Sequence, residues 1–364
     1  MRYEVVWLTH EGIRKGVFQA FEGLEYVKSQ NAVGAMVLNM PRQLIQYDQF
    51  QVGDIFEIWR EKGGVLELQN ETAYFLQNWE FREDASGAEF IRLTASDANW
   101  LLDTAIVLAK STSAEADKTA IPDNMMKAIV REQLGSSAAT ERRKLGVAPD
   151  TGSGGASITK AFAYRNVLTT LQEICEVAQE KNDIWLGFDV VRTAPGVFEF
   201  RTYTGQRGVN HSRSSGDMRM VGKQYGNLSE PTFGTYHDDE RNFVVVGGQG
   251  EDLDRELVYR SNDARVNASK WNRREYFKDS RDDATTATLE ADGDAALEEF
   301  KPKQILTGTM HDTYGMMYGI HYGFGDILTG EAFGYNVDCH VTSVRVKVDQ
   351  NNGEQIDVKL WGEL

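Results

Sequence analysis

The sequence predicts an α+β, β-rich multidomain protein, and three observations predict it. Short apolar stretches alternate with turn residues at the start of the chain and again at its end. Glycine outnumbers proline, 34 to 6, the profile of many tight turns and few stiff linkers. Between the two β-rich ends, apolar residues recur three and four apart, the period of buried helix faces.

The elements follow in order. Val5 to Leu8, Gly34 to Met40, Ile55 to Trp59, Tyr74 to Phe81 and Phe90 to Leu93 read as strands of a first β-barrel over residues 1–108. A helix is expected next, capped by Ser96 or Asp97 and carrying Leu101, Leu102, Ala105, Ile106 and Ala109. Lys110 to Ala120 is polar and reads as a separator. Residues 109–215 are expected to form an α/β domain. Pro122-Asp123 opens a helix with Met126, Ile129, Val130 and Leu134 on one side and Gly135 at its end. After a loop from Ser136 to Ser157, a second helix buries Leu168, Leu171, Cys175 and Ala178, so Cys175 is a core thiol. Strands Trp185 to Val191 and Val197 to Tyr203 complete the module.

A second β-barrel is expected from residues 216–250 joined with 301–364. Its members are Thr232 to Tyr236, Asn242 to Val246, and the alternating pair Val344 to Val348 and Ile356 to Leu360 around Asn351-Asn352-Gly353. Residues 251–300 read as a largely helical insertion, with Leu289, Ala296, Leu297 and Phe300 at helical spacing. The two barrels read as related: Val52-Gly53-Asp54-Ile55 recurs as Phe324-Gly325-Asp326-Ile327. Each is followed by a further strand and then by a hairpin with glycine in its turn, at Gly87 and Gly353.

Composition excludes several classes of function. The charge is 39 − 55 = −16, and at 41% hydrophobic and 10% aromatic the chain is globular, neither disordered nor fibrous. A pI near 4.9 argues against gripping nucleic acid over the whole surface, which needs lysine and arginine to neutralise phosphate. It leaves room for a protein that DNA slides past, along a wall of negative potential. The longest apolar stretch, Trp100 to Ala109, is broken by Asp103 and falls short of the roughly 20 residues of a membrane span. The N-terminus lacks the apolar core of a secretory signal. Cys175 and Cys339 make neither a disulfide framework nor a four-cysteine zinc site.

No motif carries catalysis. Val244 to Gly250 runs a strand into glycines, but Glu251, Asp252 and Asp254 follow and would repel phosphate, so no nucleotide cofactor is expected. Gly152 to Gly155 lacks the lysine of a phosphate loop. Cys339 and His340 with His311 and His321 are the one set that could converge on a metal, and ordinary strand histidines are the expectation. Carboxylates at Asp238-Asp239-Glu240, Asp282-Asp283 and Glu298-Glu299 read as solvated charge. A wall-degrading hydrolase with a carboxylate pair, or a small-ligand-binding β protein, are the alternatives to a structural role. One stretch breaks the acidity: Arg201, Arg207, Arg213, Arg219 and Lys223, with Asp217 the only acid, form a candidate partner-docking edge.

Several segments together resemble a known family. Tyr225-Gly226-Asn227-Leu228 precedes a strand; Asn242 to Gly250 is followed by Arg255; then come Arg274 to Arg281 and Tyr322-Gly323-Phe324-Gly325-Asp326-Ile327 before the closing hairpin. In the first half, Gln30-Asn31-Ala32-Val33-Gly34, Gly53-Asp54 and Arg92 to Asp97 fit the same order. In that order they resemble the tail-tip or baseplate hub proteins of long-tailed bacteriophages, including the N-terminal hub region of tail-associated lysozymes.

The resemblance implies two related barrels with intervening α/β domains, in a homotrimer whose six barrels match a sixfold tail ring. It implies as partners the distal tail ring or tube protein, a central spike or fibre and the tape measure protein, with DNA only in passage. The implied place is the distal end of the virion tail, after assembly in the host cytoplasm. No enzymatic activity is implied, since the chain ends at Leu364 after the hairpin with no peptidase or muramidase domain.

Overall fold

The computed structural model describes residues 2–42, 50–83, 87–108, 116–182, 184–250, 254–281, 285–349 and 353–363. The chain divides into two units, Met1–Pro231 with Thr307–Trp361 and Thr232–Leu306 with Gly362–Leu364.

The first unit opens with β1 (Tyr3–Leu8), β2 (Arg14–Phe18), β3 (Gly23–Ser29), β4 (Ala35–Pro41), β5 (Ile55–Lys62), β6 (Val65–Leu68), β7 (Tyr74–Glu83) and β8 (Glu89–Asp97). Alternate residues of β3, β4 and β8 are buried, so one face of this sheet is apolar and the other wet. The helix expected after Asp97 is a single turn, α1 (Trp100–Asp103). Its continuation is claimed by extended pairing: Val107 exchanges backbone bonds with Tyr164 and Arg165, and the Ala105 carbonyl accepts from Val167.

The α/β module contains β9 (Ala116–Ala120), α2 (Pro122–Gln133), β10 (Gly146–Val147), β11 (Ile158–Phe162), α3 (Val167–Asn182), β12 (Leu186–Ala194) and β13 (Val197–Thr204). The end of the expected separator is therefore a strand, paired antiparallel with β11. Pro122 stands in the first turn of α2, where its missing N–H costs nothing. Met126, Ile129 and Val130 of α2 meet Leu171, Ile174 and Ala178 of α3 over Phe188 and Phe200 of the β12–β13 hairpin, and Cys175 is buried beside them.

The unit continues through β14 (Asn210–His211) and β15 (Met220–Gly222) into β16 (Leu228–Tyr236), which leads into the second unit. That unit holds β17 (Phe243–Gly247), β18 (Leu257–Ser261), α4 (Asp263–Val266), β19 (Glu275–Asp279) and α5 (Thr286–Glu299). β17 lies between β18 and β19 in a sheet of its own, with Val244, Val246 and Val258 packed on Leu289 and Ala296 of α5. Thus 251–300 is not largely helical, and 243–247 sits with it rather than with the closing strands. The alternation in Leu257 to Ser261 and Glu275 to Asp279 is short and set among charges, which hides it from a window long enough to see a helix.

The chain returns through β20 (Lys303–His311), β21 (Ile327–Ala332), β22 (Tyr335–Asp349) and β23 (Gly353–Glu363). One sheet then runs β16-β20-β23-β22-β3-β4-β8-β7-β5-β1-β2. It contains one five-strand pattern twice. In sheet order β5-β7-β8-β4-β3 is matched by β21-β22-β23-β20-β16, and each set appears in the same order along the chain.

The match extends to detail. β7 slips register against β8 between Leu76 and Asn78, and β22 slips against β23 between Val341 and Ser343. Gly53 (φ 91°) and Gly325 (φ 84°) are left-handed, and each precedes an aspartate whose carboxylate accepts the amide three residues back, Gln51 at 3.1 Å and Gly323 at 2.6 Å. The Asp54 carbonyl accepts from Leu76 and the Asp326 carbonyl from Val341, both at 2.9 Å and both just before the bulge. The two Gly-Asp pairs therefore occupy equivalent strands. Neither copy closes into a barrel among the described residues. The sheet instead passes from one copy into the other through β22 and β3, paired antiparallel from Ser343↔Ser29 to Asp349↔Gly23.

Candidate assembly surfaces

The five cations singled out in the sequence do not form one edge. Arg207 is drawn inward and is only 12% exposed, its guanidinium 2.8 Å from Asp189 and 3.5 Å from Glu71, near the rings of Tyr203 and Phe324. The cause is the buried cluster it completes. Lys28 lies 3.0 Å from Asp97 and 2.5 Å from Asp189, all three fully buried, so one lysine faces two carboxylates until Arg207 supplies the second positive charge. Burial pushes the Asp97 carboxyl up, and Lys28 opposes that. Arg201 is paired with Glu199 at 2.7 Å, and Arg219 with Asp217 at 3.0 Å. Arg213 and Lys223 are exposed and carry no ion pair among the described residues.

The histidines and Cys339 do not converge: no group of three or more His, Cys, Asp or Glu among the described residues is placed to hold a metal. Asp282 and Asp283 lie outside the described residues. Glu240 is tied up by Arg265, 2.8 Å from both oxygens, and by His237 at 2.7 Å.

Among the described residues the sheet has several edges, and two of them lie in the repeated ladders. β7 pairs with β5 only at Tyr74 and Phe75, so from Asn78 to Glu83 it is bound to β8 on one side and to no strand on the other among the described residues. Its side chains are exposed on both faces. Trp79 and Phe81 stand opposite Leu93 and Ile91, on the apolar face, and extend it to the edge. Their rings meet edge to face with centroids 5.5 Å apart, and the Arg42 guanidinium lies over Phe81. At the far end, β16 pairs with β20 and is the last strand of the ladder.

The wet face of the same ladder carries charges of both signs. Glu80 stands opposite Arg92 in the first copy, and Arg345 opposite Asp357 in the second, with Arg345 also bonded to Glu25 at 2.8 Å. No local signal in the sequence marks the end of β7 as an edge. Trp79-Glu80-Phe81-Arg82 alternates like any half-buried strand, and only the sheet order reveals that among the described residues this stretch is paired with β8 alone.

A family model described as "Siphovirus ReqiPepy6 Gp37-like protein" matches residues 5–360. The chain belongs to this siphovirus protein family. Comparison with curated proteins gives no match. Among solved structures, the fold is similar to the tail protein from Neisseria meningitidis MC58, at 12% identity and TM-score 0.56, covering 99% of this chain and 97% of that one. It is also similar to the 43 kDa tail protein of prophage MuSo2 from Shewanella oneidensis, at 9% identity and TM-score 0.56, covering 99% and 98%. The prophage tail protein gp18 from Listeria monocytogenes EGD-e matches at 9% identity and TM-score 0.52, covering 98% and 94%. At these identities the likeness is one of fold.

Proposed function

We propose that this tail protein is a ring-forming hub at the distal end of the tail, three copies joining the sixfold tail tube or distal ring to a central spike or fibre. The observation that carries this is the repeated five-strand ladder. A chain that contributes two like ladders to a threefold ring presents six like surfaces, so it meets a sixfold neighbour without mismatch. In the ring, the two ladders are the counterparts of the two expected barrels, and DNA passes through the opening they surround. The function is mechanical and needs no catalytic group. Arg213 and Lys223, exposed near one another in sequence, remain available to an acidic neighbour in the tail. Assembly takes place in the host cytoplasm before the virion is complete.

The test is to label the protein on intact particles. Gold-tagged antibody against this chain should mark the distal tail end alone, and native mass spectrometry of the concentrated protein should give three chains per particle. Label along the whole tail, or a stable dimer or tetramer, would overturn the reading.

A further inference from the structure

One turn is made twice in this chain with the same backbone and different side chains. Ile55 stands opposite Phe75 in the first copy and Ile327 opposite His340 in the second, each two residues after its left-handed glycine. The hairpin that leaves each of these strands turns through two residues. They are Gly63-Gly64 between Lys62 and Val65, with φ of 55° and 86°, and Phe333-Gly334 between Ala332 and Tyr335, with φ of 53° and 85°. Left-handed backbone suits glycine and burdens a residue with a bulky side chain. The first copy has glycine at the burdened position and the second has phenylalanine, yet the Phe333 residue is 66% exposed and offsets little of that cost by packing. The turn does not need this ring, and a strained residue that the fold does not need points to function. Its surroundings say what it would meet. β15 runs parallel to β21 with Gly222 opposite Glu331, so Lys223 and Tyr225 follow at the same end of the sheet. The Tyr225 hydroxyl donates to Glu331 at 3.4 Å while the residue stays 47% exposed, and Lys223 is exposed with no ion pair among the described residues.

We propose that the Phe333 tip, with Tyr225 and Lys223 beside it, is an anchor that enters an apolar pocket with a carboxylate at its rim, on a partner protein of threefold symmetry. The two aromatic residues set the apolar part of that chemistry, and Lys223 sets the acidic part. The symmetry of the partner rests on the ring reading. In a ring of three chains the ladders repeat six times, but only three of the six hairpin tips carry a ring; the other three are Gly63-Gly64 and have no side chain to insert. A sixfold neighbour gripping these tips would leave half of its pockets empty. Of the two neighbours proposed for the hub, the one that fits this end of the ladders is therefore the central spike or fibre.

The experiment uses the full chain, alone and in intact tail particles. Hydroxyl-radical footprinting should show Phe333 and Tyr225 protected in particles relative to the isolated chain, with Val65 beside the other tip unchanged. p-Benzoylphenylalanine placed at position 333 should cross-link in particles to one other tail protein, and the same probe at position 63 should not reach that protein. With the protein so identified, Phe333→Asn, which keeps the turn, should weaken its binding roughly 30-fold or more, as loss of a buried interface aromatic does. Phe333→Tyr, which keeps a ring, should retain most of the binding. Thermal melting of Phe333→Asn at or above the wild-type temperature separates a lost contact from a lost fold. Phe333 oxidised as fast in particles as in the isolated chain, or cross-linked only to a second copy of this chain, would overturn the anchor. Equal cross-linking of one protein from positions 333 and 63 would overturn its threefold partner. Both of those results leave the ring standing, whereas particles with a number of chains other than three contradict the ring itself, and protection of Phe333 is read independently of that count.

Discussion

Arg60 on β5 and Glu354 at the start of β23 form an ion pair across 294 residues of chain, joining a strand of the first copy to a strand of the second. The guanidinium is fully buried; its Nε donates to Glu354 at 2.9 Å, a second nitrogen reaches the other carboxylate oxygen, and Nη1 donates to the Tyr318 carbonyl at 2.9 Å. Tyr3 also donates to the Glu354 carboxylate. Burial alone would disfavour the charged guanidinium, and the carboxylate opposes that loss. Glu354→Ala should therefore cost about 3–5 kcal/mol, because it leaves a buried cation without its partner. Arg60→Met with Glu354→Leu should recover much of that loss. Urea denaturation of the wild type and the two variants measures both.

The paired glycines predict an unequal response to alanine. Both are left-handed, so each alanine bears a backbone cost of roughly 1–2 kcal/mol. At Gly53 the added carbon meets nothing nearer than the His10 Cβ at 3.8 Å, whereas at Gly325 it would stand 2.7 Å from the Arg207 Cβ. Arg207 is held by Asp189 and cannot easily give way. Gly325→Ala should be the more damaging by at least ~1 kcal/mol, measured as the difference in unfolding free energy.

Turn chemistry offers a gain. Ala332 and Tyr335 pair across a two-residue loop, Phe333-Gly334, with φ of 53° and 85°. Both values are positive, the geometry of a type I′ turn, which favours asparagine followed by glycine. Phe333 is 66% exposed and gains little by burial there. Phe333→Asn should raise stability by about 1 kcal/mol, visible as a rise of a few degrees in Tm.

In the second unit, the Arg265 guanidinium and the His237 ring hold the Glu240 carboxyl down to about 2, from an ordinary 4.5. A carboxyl with a lowered folded-state value contributes stability above its unfolded value and loses it as pH falls through the folded one. Glu240→Gln should thus destabilise by about 1–2 kcal/mol at pH 7, solvent around the half-exposed Arg265 screening the pair. The gap between variant and wild type should shrink from pH 4.5 downward and vanish near pH 2. Urea midpoints at pH 7, 4.5 and 3 follow it.

Much of this architecture is legible in the sequence, for identifiable reasons. Long alternating strands such as Val344 to Val348, and helices with Met126-Ile129-Val130 spacing, declare themselves because their burial is periodic. Gly53-Asp54 and Gly325-Asp326 are legible because a left-handed turn requires glycine and its orphan amide requires a carboxylate. Residues whose role depends on a distant neighbour are not. Arg207 looks like surface charge until Lys28, Asp97 and Asp189 are seen to need it, and Trp79 looks like core although it is 40% exposed. The hairpin residues Asp84, Ala85, Ser86, Asn351 and Asn352 lie outside the described residues.

The central claim is that two like ladders per chain make a threefold ring with sixfold-like contacts. Cryo-electron microscopy of the assembled protein, averaged without imposed symmetry, tests it most directly. The account predicts three chains per ring, with the two ladders of each chain giving six like surfaces around the axis. A ring of six chains, or a threefold ring whose two ladders per chain present unlike surfaces around the axis, would contradict it.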